Sequence, residues 1–194
     1  MKITVKTSAL FAALECSAKK DLRYYLQGIN IQITKDAVGM VYGTDGHILF
    51  AGQLPYVGDY CPPTLNLIIP TDAVKRLDKK LEFTELEYDG QNYLLGGARF
   101  VPVDGRYPDV GRVIPDIDHN TEQAPGTYNP DLLVRARAAL ALYLGVKPKD
   151  TFNFIQRGSD SAVMHAGTNE CVVVVMPMRA GHEAPYAGFN RSYM

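Results

Sequence analysis

KITVKTSALFAALEC (residues 2–16) predicts a strand followed directly by a helix, and the rest of the chain repeats this junction. Residues 2–6 alternate polar and apolar side chains, as a half-buried strand does. Thr7 or Ser8 is expected to cap the helix, because a hydroxyl can accept from the free N–H groups of the first turn. The lysine pair at 19–20 is expected to close the helix, since cations stabilise the C-terminal end of its dipole.

The same order of elements, one strand, one helix and three strands, is predicted three times along the chain. Further strands are predicted at 29–34, 37–43, 47–53, 65–70, 82–89, 91–97, 98–104, 126–128, 151–157, 160–166 and 171–175. Further helices are predicted at 71–80 and 129–144, the second with Asn129 as N-cap and Pro130 at its first position. We therefore predict an α+β fold of three strand–helix–three-strand units. The first two units should pair into one layered domain with both helices on one side.

A stretch rich in Gly, Pro and Asp, GRYPDVGRVIPDIDHN (105–120), separates the second unit from the third. Its composition is typical of a linker. However, Tyr107, Val110 and Val113 are apolar enough to predict that it packs against a surface. The predicted organisation is a domain at 1–104, an apolar linker at 105–122, a half-domain at 123–180 and a C-terminal tail at 181–194.

The chain has 194 residues, of which 46% are hydrophobic and 21% charged, as expected for one large or two small folded domains. No apolar stretch approaches the roughly 20 residues of a membrane helix. Polar residues interrupt the N-terminal apolar segment, which argues against a signal peptide. Three cysteines without a CxxC pair indicate a reduced, cytoplasmic protein. The formal net charge of −1 argues against tight nonspecific attachment to nucleic acid through charge alone.

The sequence carries no catalytic signature. It has no P-loop, no GxSxG, no HExxH and no Cys/His cluster with zinc spacing, so we predict no enzyme, no metal and no cofactor. Asp45 and His47 could suggest acid–base chemistry. The stretch Thr44-Asp45-Gly46 is better explained as a turn between two strands, for which Asp and Gly are the expected residues.

The stretch CVVVVMPMR (171–179) has an unusual composition. Its valines predict a strand buried on both faces, and Pro177 should end the ladder because it has no N–H to donate. The methionines and the arginine at the exit of this strand leave two interpretations open. The strand simply stops there, or the exit forms an apolar contact surface with one cation on its rim.

Four stretches, taken together, resemble the bacterial sliding clamp, the β subunit of DNA polymerase III. They are RYYLQGI (23–29), TDGHILF (44–50), GRYPDVGRVIP (105–115) and VVMPMR (174–179). The resemblance implies the DNA clamp fold, whose domains are themselves doubled strand–helix–three-strand units. Residues 1–104 resemble the middle domain of the family, and residues 123–180 resemble the end of its last domain. The first domain and the first half of the last domain have no counterpart here.

The resemblance implies a DNA sliding clamp, or polymerase processivity factor, that encircles duplex DNA as an oligomeric ring and binds peptides of replication proteins. Such a ring has twelve units and this chain carries three, so four copies would supply the number. The implied partners are double-stranded DNA, a replicative polymerase and other proteins with clamp-binding peptides, a clamp loader, and further copies of the chain, with no membrane. The minimal form favours a phage or mobile element as the source. The alternative is a clamp-like adaptor or competitor that binds polymerase peptides or a host clamp without encircling DNA.

The loop after the first helix corresponds to a loop that meets DNA in the family. The residues that the resemblance assigns to DNA contact are Lys19, Lys20, Arg23, Tyr24 and Tyr25. A buried tyrosine pair is the competing interpretation for the two aromatic residues. A mildly positive inner wall is also expected from cations on the helices, namely Lys19, Lys20, Lys75, Arg76, Lys79, Lys80, Arg135 and Arg137.

The resemblance also implies a peptide-binding pocket between the middle and last domains. Its predicted lining is Leu26, Thr44, Gly46, His47, Leu49, Pro108, Arg112, Val113, Val174, Val175, Met176, Pro177, Met178 and Arg179. An apolar pocket with adaptable methionines suits leucine or phenylalanine anchors of a peptide. Ile48 stands where the family has an arginine. In the tail, Tyr186 and Phe189 could plug the pocket, seal a subunit interface or belong to a free chain end.

Overall fold

A computed structural model of the chain describes residues 1–60, 64–117, 123–147, 150 and 152–179, with the backbone alone at 59 and 60. The predicted tail at 181–194, with Tyr186 and Phe189, lies outside the described residues, and so does Cys61. The strands are β1 (Lys2–Lys6), β2 (Gly28–Ile33), β3 (Gly39–Thr44), β4 (Ile48–Gln53), β5 (Tyr56–Tyr60), β6 (Leu65–Pro70), β7 (Phe83–Tyr88), β8 (Tyr93–Leu95), β9 (Ala98–Phe100), β10 (Asn153–Arg157), β11 (Asp160–His165) and β12 (Cys171–Val175). The helices are α1 (Thr7–Cys16), α2 (Thr71–Lys75) and α3 (Pro130–Leu144), with 3₁₀ turns at Tyr24–Gln27 and Val110–Arg112.

The strands form two sheets, and the first two units exchange strands between them. A five-stranded sheet has the order β5-β1-β7-β8-β9, and a seven-stranded sheet has the order β10-β11-β12-β4-β3-β2-β6. The first strand of unit one, β1, pairs antiparallel with β7 of unit two. In return β6, the first strand of unit two, pairs antiparallel with β2 of unit one. Each of these units therefore completes the sheet of the other.

The third unit joins the first through their last strands and their helices. Strand β12 pairs antiparallel with β4, which makes one continuous sheet across the two units. Helix α1 packs against α3 on one side and against β3 on the other. At Gly43 of β3, an added Cβ would lie 1.8 Å from the Ala13 carbonyl oxygen of α1, so only glycine permits this approach. Both sheets and all three helices contribute to the main hydrophobic core.

The predicted cap at the start of α1 is wrong. The helix begins at Thr7 and has Lys6 as its N-cap residue, without a side-chain hydrogen bond to the first turn. The Thr7 hydroxyl is engaged elsewhere, because it lies 2.6 Å from the hydroxyl of Thr84 on β7. A long-range contact has therefore replaced the local cap that the sequence favoured.

The predicted end of α1 is also wrong, since the helix stops at Cys16, before the lysine pair. The Ser17 hydroxyl donates to the Ala13 carbonyl at 3.0 Å and so ends the helix. The C-terminal carbonyl groups are bonded by Arg135 of α3, whose Nε donates to the Glu15 carbonyl at 3.0 Å. Its Nη2 donates to the Ser17 carbonyl at 3.3 Å. The cation at this helix end thus comes from another unit.

Helix α2 is shorter than predicted. It ends at Lys75, and Arg76, Lys79 and Lys80 lie in the turns that follow. The Asp78 carboxylate accepts from the Lys80 N–H at 2.9 Å, a local bond that competes with helix continuation. By contrast, both predicted ends of α3 are confirmed. Asn129 accepts from the Asp131 N–H at 2.9 Å, and Gly145 follows the helix in the left-handed conformation.

Two further differences concern strands. The sequence does not predict strand β5, because YVGDY contains Gly and Asp, which are uncommon in strands. Its neighbour in the sheet, β1, is also distant in sequence. The predicted strand at 126–128 is absent from both sheets, and a single parallel bridge between Ala124 and Arg157 lies beside it.

Candidate functional site

The linker packs against the face of the seven-stranded sheet that points away from the main core. Tyr107 and Val110 are buried there in a separate cluster, against sheet residues that include Leu49 and Val174. Successive valines of β12 point to opposite faces of the sheet. Val172 and Val174 therefore face this cluster, whereas Val173 and Val175 belong to the main core. The expectation that the linker packs against a surface is confirmed, and both faces of β12 are covered.

The turn between β3 and β4 is fixed by side-chain hydrogen bonds. The Thr44 hydroxyl accepts from the Gly46 N–H at 3.0 Å and donates to the Ile48 carbonyl at 2.7 Å. The Asp45 carboxylate accepts from the N–H groups of His47 and Ile48 at 2.9 and 3.1 Å. Gly46 has a φ of 91°, which few side chains tolerate. Asp45 therefore acts as a turn residue.

The exit of β12 runs along this turn. Val175 pairs with Ile48 as the last residue of the ladder, and the Met176 N–H donates to the His47 carbonyl at 2.8 Å. Pro177 has no N–H to continue the ladder. The Met178 N–H then donates to the Thr127 carbonyl at 2.8 Å. The chain after the strand is thus held between the turn of the first unit and the start of the third.

A small apolar pocket of about 90 Å³ lies where these segments and the linker meet. It is lined by Leu26, Thr44, Gly46, His47, Ile48, Leu49, Pro108, Val110, Val113 and Met176. Eight of these ten residues are in the predicted pocket set, and they come from four separate stretches of sequence. Its nearly all-apolar wall suits an aliphatic or aromatic side chain.

A wider groove of about 980 Å³ shares Gly46, His47 and Met176 with the pocket. It is lined by Gly46, His47, Pro125, Gly126, Thr127, Asn129, Leu132, Gly158, Ser159, Met176, Pro177, Met178 and Arg179. Met178 and Arg179 are exposed on its wall. The small pocket therefore opens beside a longer surface of mixed character, with a cation at its edge.

Three predicted pocket residues line neither cavity. Val174 lies under the linker and Val175 in the main core, both with at most 1% of their surface exposed. Arg112 is exposed and forms an ion pair with Asp109 at 3.1 Å. Sequence reasoning missed two residues of the pocket, Ile48 and Val110. The groove residues Asn129 and Leu132 were not predicted either. The sequence marks Asn129 only as the cap of α3 and gives no indication that Leu132 lines a groove.

The predicted DNA-contact loop carries three exposed cations. Lys19, Lys20 and Arg23 are all exposed, and Leu22 between them is fully exposed. Arg23 is engaged by Asp21, with Nε–Oδ1 and Nη2–Oδ2 distances of 3.0 and 2.8 Å. This hydrogen bonding from Arg23 lowers the pKa of the Asp21 carboxyl to about 2. The two lysines are therefore the freer cations of the loop.

Arg23 also links this loop to the pocket. Its Nη2 donates to the Asp45 carbonyl at 3.2 Å, and an added Cβ at Gly46 would lie 2.8 Å from the same nitrogen. Tyr24 is 56% exposed, whereas Tyr25 is half-buried and packs against the linker cluster. The two rings meet edge to face at 5.9 Å. The exposure of Tyr24 is compatible with DNA contact, whereas Tyr25 fits the interpretation of a buried tyrosine.

The predicted inner-wall cations do not form one set of free charges. Lys75 pairs with Asp72 at 3.0 Å, and Lys79 Nζ lies 5.0 Å from the centre of the Phe11 ring. Arg135 forms an ion pair with Asp45 in addition to its bonds to the end of α1. The exposed members of the set are Lys19, Lys20, Lys75, Arg76, Lys79, Lys80 and Arg137.

The described residues contain no group of three or more His, Cys, Asp or Glu side chains that could hold a metal ion. Among the same residues, no helix has the length and apolar character that crossing a membrane requires. Cys16 and Cys171 are buried and free, and burial raises the pKa of the Cys171 thiol to about 11.

Comparison with known proteins gives one consistent result. The chain is 32% identical to the beta sliding clamp of Vibrio cholerae serotype O1 over 114 residues, covering 55% of this chain and 30% of that protein. It is 25% identical to the beta sliding clamp of Salmonella typhimurium over 185 residues, covering 91% of this chain and 49% of that protein. The solved Helicobacter pylori beta clamp in complex with diflunisal has a TM-score of 0.69 and 14% identity, covering 92% of this chain and 66% of that chain. No model of a protein family matches the chain.

The fold is therefore that of the DNA clamps, and the predicted α+β class is confirmed. Within that class, the sequence relatives are bacterial β sliding clamps, the β subunit of DNA polymerase III, so the predicted resemblance is confirmed as well. The chain spans about half, or less, of the length of these curated relatives.

Proposed function

We propose that the chain is a DNA sliding clamp that works as a polymerase processivity factor and binds short peptides of replication proteins. The observation that carries this proposal is the apolar pocket of about 90 Å³ at the exit of β12. Its wall combines Leu26, the turn between β3 and β4, the linker and Met176, so it exists only when these four segments pack together. The proposed role is binding, without a reaction of its own, and its place is the cytoplasm, where bacterial DNA is replicated.

The pocket and the adjoining groove divide the work of peptide recognition. An aliphatic or aromatic anchor would fill the small pocket, whose walls offer mainly carbon atoms. The rest of an extended peptide would follow the groove, where Arg179 can bind acidic groups and the amide nitrogen of Asn129, whose oxygen caps α3, can donate to polar ones. Met176 and Met178 can adjust to different anchors, because the thioether side chain is unbranched and polarisable.

Peptide binding is tested with a fluorescently labelled short peptide that carries leucine and phenylalanine anchors, followed by anisotropy. Val113→Glu places a charge at the half-buried pocket wall, and we expect the affinity to fall at least about tenfold, since tenfold corresponds to only ~1.4 kcal/mol. Val38→Glu is the matched control, because Val38 is 49% exposed and lies in the β2–β3 turn. If both substitutions lowered the peptide affinity equally, or if neither lowered it, the peptide would not use this pocket.

The charge distribution suits a ring that moves along DNA. A net charge of −1 gives weak general attraction to phosphate, and the exposed Lys19 and Lys20 supply local contacts. The exposed ring of Tyr24 can contact a sugar or a base beside them. Topology, and not tight phosphate binding, would then keep the protein on its DNA.

The proposed ring is built from four copies, whose three units each give the twelve that the resemblance implies. Within the chain, units one and three join through their last strands, β4 and β12. The last strand of unit two, β9, is at the edge of its sheet in the described residues. Pairing of two β9 strands from different copies would repeat the β4–β12 type of contact and close the ring on that side.

Retention on DNA separates this proposal from the adaptor alternative. The chain is diluted, mixed with a circular or a linearised plasmid, and concentrated so that assembly occurs around the DNA. The complexes are then washed at about 0.5 M salt, which weakens phosphate contacts. A sliding ring stays on the circle and leaves the linear ends. Equal loss from both forms of DNA would contradict encirclement and favour an adaptor.

A further inference from the structure

The first strand of each complete unit lies between two defined neighbours. Strand β1 pairs on one side with β5, which belongs to the outgoing chain of its own unit, meaning the segment that follows the last strand of the unit. On the other side it pairs with β7, the second strand of unit two. Strand β6 pairs on one side with β2, the second strand of unit one. On its other side, the Ile68 carbonyl accepts from the Val103 N–H of the outgoing chain of unit two at 3.0 Å.

The third unit has only one of these two neighbours. Residues 124–128 precede α3 as β1 precedes α1, and the Thr127 carbonyl accepts from Met178 in the outgoing chain of the same unit. The second strand of another unit is missing from the described part of the chain. In the same way, β10 is the edge of its sheet there, and the segment before α3 meets it only near its C-terminal end, through Ala124 and the N–H of Gly126.

The core of the third unit is correspondingly open. Among the described residues, seven half-buried apolar side chains that pack against the main core come from the third unit and five from the first two units together. The seven are Tyr128, Leu132, Leu133, Leu142, Leu144, Phe152 and Phe154. None of them carries a charge. A contact across a two-fold axis needs a patch that is complementary to itself, and these apolar side chains supply the area for one.

We infer that a second copy of the chain covers the part of this surface beside β10, around Tyr128 and Phe154, and that the two third units exchange their first strands to form one complete clamp domain. In this arrangement the segment before α3 of each copy adds antiparallel to β10 of the other copy. Units one and two already make this reciprocal exchange within the chain. The contact deepens the proposed ring, and only its role in that ring rests on the proposed function.

The two complete units fix the register of the contact. In both, the residue before the helix pairs with the first residue of the second strand of the other unit: Lys6 with Phe83, and Pro70 with Gly28. By the same rule Asn129 lies opposite Asn153 of the second copy, Tyr128 opposite Phe154 and Thr127 opposite Ile155. These three pairs are uncharged. They cover β10 up to Ile155 and leave the bridge between Ala124 and Arg157 in place.

The register is tested with the double variant Thr127→Cys, Ile155→Cys. The Thr127 carbonyl faces Met178, so its pair with Ile155 is of the non-hydrogen-bonded type, with Cα atoms about 4.5 Å apart, close enough for a disulfide. On mild oxidation we expect most of the protein to form a covalent dimer of twice 21.4 kDa on a non-reducing gel. The pairing of Thr127→Cys with Arg157→Cys is the control, two residues out of register, and should give little dimer.

Each single variant controls for the native cysteines, and the reduced double variant should keep the mass and unfolding midpoint of the unmodified chain. Dimer formation no greater than in the single variants would overturn the inference, as would a disulfide within one chain. Covalent dimers that leave circular DNA as fast as linear DNA would support the inference while contradicting the ring. Retention on circles without cross-linking would overturn the inference and leave the ring to other contacts.

Discussion

Arg135 shows how one side chain can join two units. Its guanidinium bonds the Glu15 and Ser17 carbonyls at the end of α1 and forms an ion pair with Asp45 in the pocket turn. The side chains of Arg135 and Asp45 are only 22% and 17% exposed. A helix residue predicted to face DNA therefore holds the pocket turn against the third unit.

Replacing Arg135 with methionine keeps the apolar stem and removes all of these donors. We expect the free energy of unfolding to fall by about 2 kcal/mol, because a partly buried carboxylate and two carbonyl groups lose their partner. Urea unfolding measures the change. Arg137→Met on the exposed side of the same helix should alter stability by less than about 0.5 kcal/mol. Equal stability of the two variants would contradict the role given to Arg135.

Asp21 provides a pH-dependent test of the loop. Hydrogen bonds from the side chain and then from the backbone of Arg23 lower its pKa from 3.8 to about 2. A depressed folded-state pKa means that ionised Asp21 stabilises the fold above about pH 4, and that this contribution is lost as the pH falls towards 2. Carbon-detected NMR titration should show the pKa of Asp21 returning towards 3.8 in Arg23→Gln and unchanged in Lys20→Gln. A low pKa in Arg23→Gln would disprove this cause.

At the scale of elements, the sequence predicts helix ends correctly where residues of the same turn form the cap. Helix α3 has both predicted ends, because an Asn-Pro start and a following glycine act within one turn. The ends of α1 and α2 could not be predicted in the same way. Thr7 bonds to Thr84, and the end of α1 is bonded by Arg135, both far away in sequence. The segment at 126–128 forms no strand within the described residues, so its local pattern did not decide its structure.

The contact between α1 and β3 tests the packing of elements. An alanine at Gly43 would place its Cβ 1.8 Å from the Ala13 carbonyl oxygen, so α1 must move away from the sheet. We expect Gly43→Ala to lower the free energy of unfolding by about 3 kcal/mol, the upper end of ordinary overpacking costs. Gly111→Ala is the control, because its nearest atom outside the adjoining residues lies 3.5 Å away. Thermal unfolding of the two variants at one concentration gives the comparison.

At the scale of the molecule, the sequence motifs alone predict most of the residues that line the pocket. The motifs at 23–29, 44–50, 105–115 and 174–179 all contribute residues to the pocket or the adjoining groove. What they could not predict is which members face the cavity. Val174 and Val175 follow the alternation of β12 into the two hydrophobic clusters, and Arg112 turns to Asp109. The direction of a valine side chain depends on the strand register, and that of Arg112 depends on its ion pair. A sequence motif specifies neither.

The proposed ring requires several copies of this chain to assemble around DNA. The most direct measurement is the mass in solution, by light scattering coupled to size exclusion, over a wide range of protein concentration. We expect a stable assembly of four chains of 21.4 kDa each. A mass of one chain at every concentration would contradict it, because one chain of three units cannot surround a duplex.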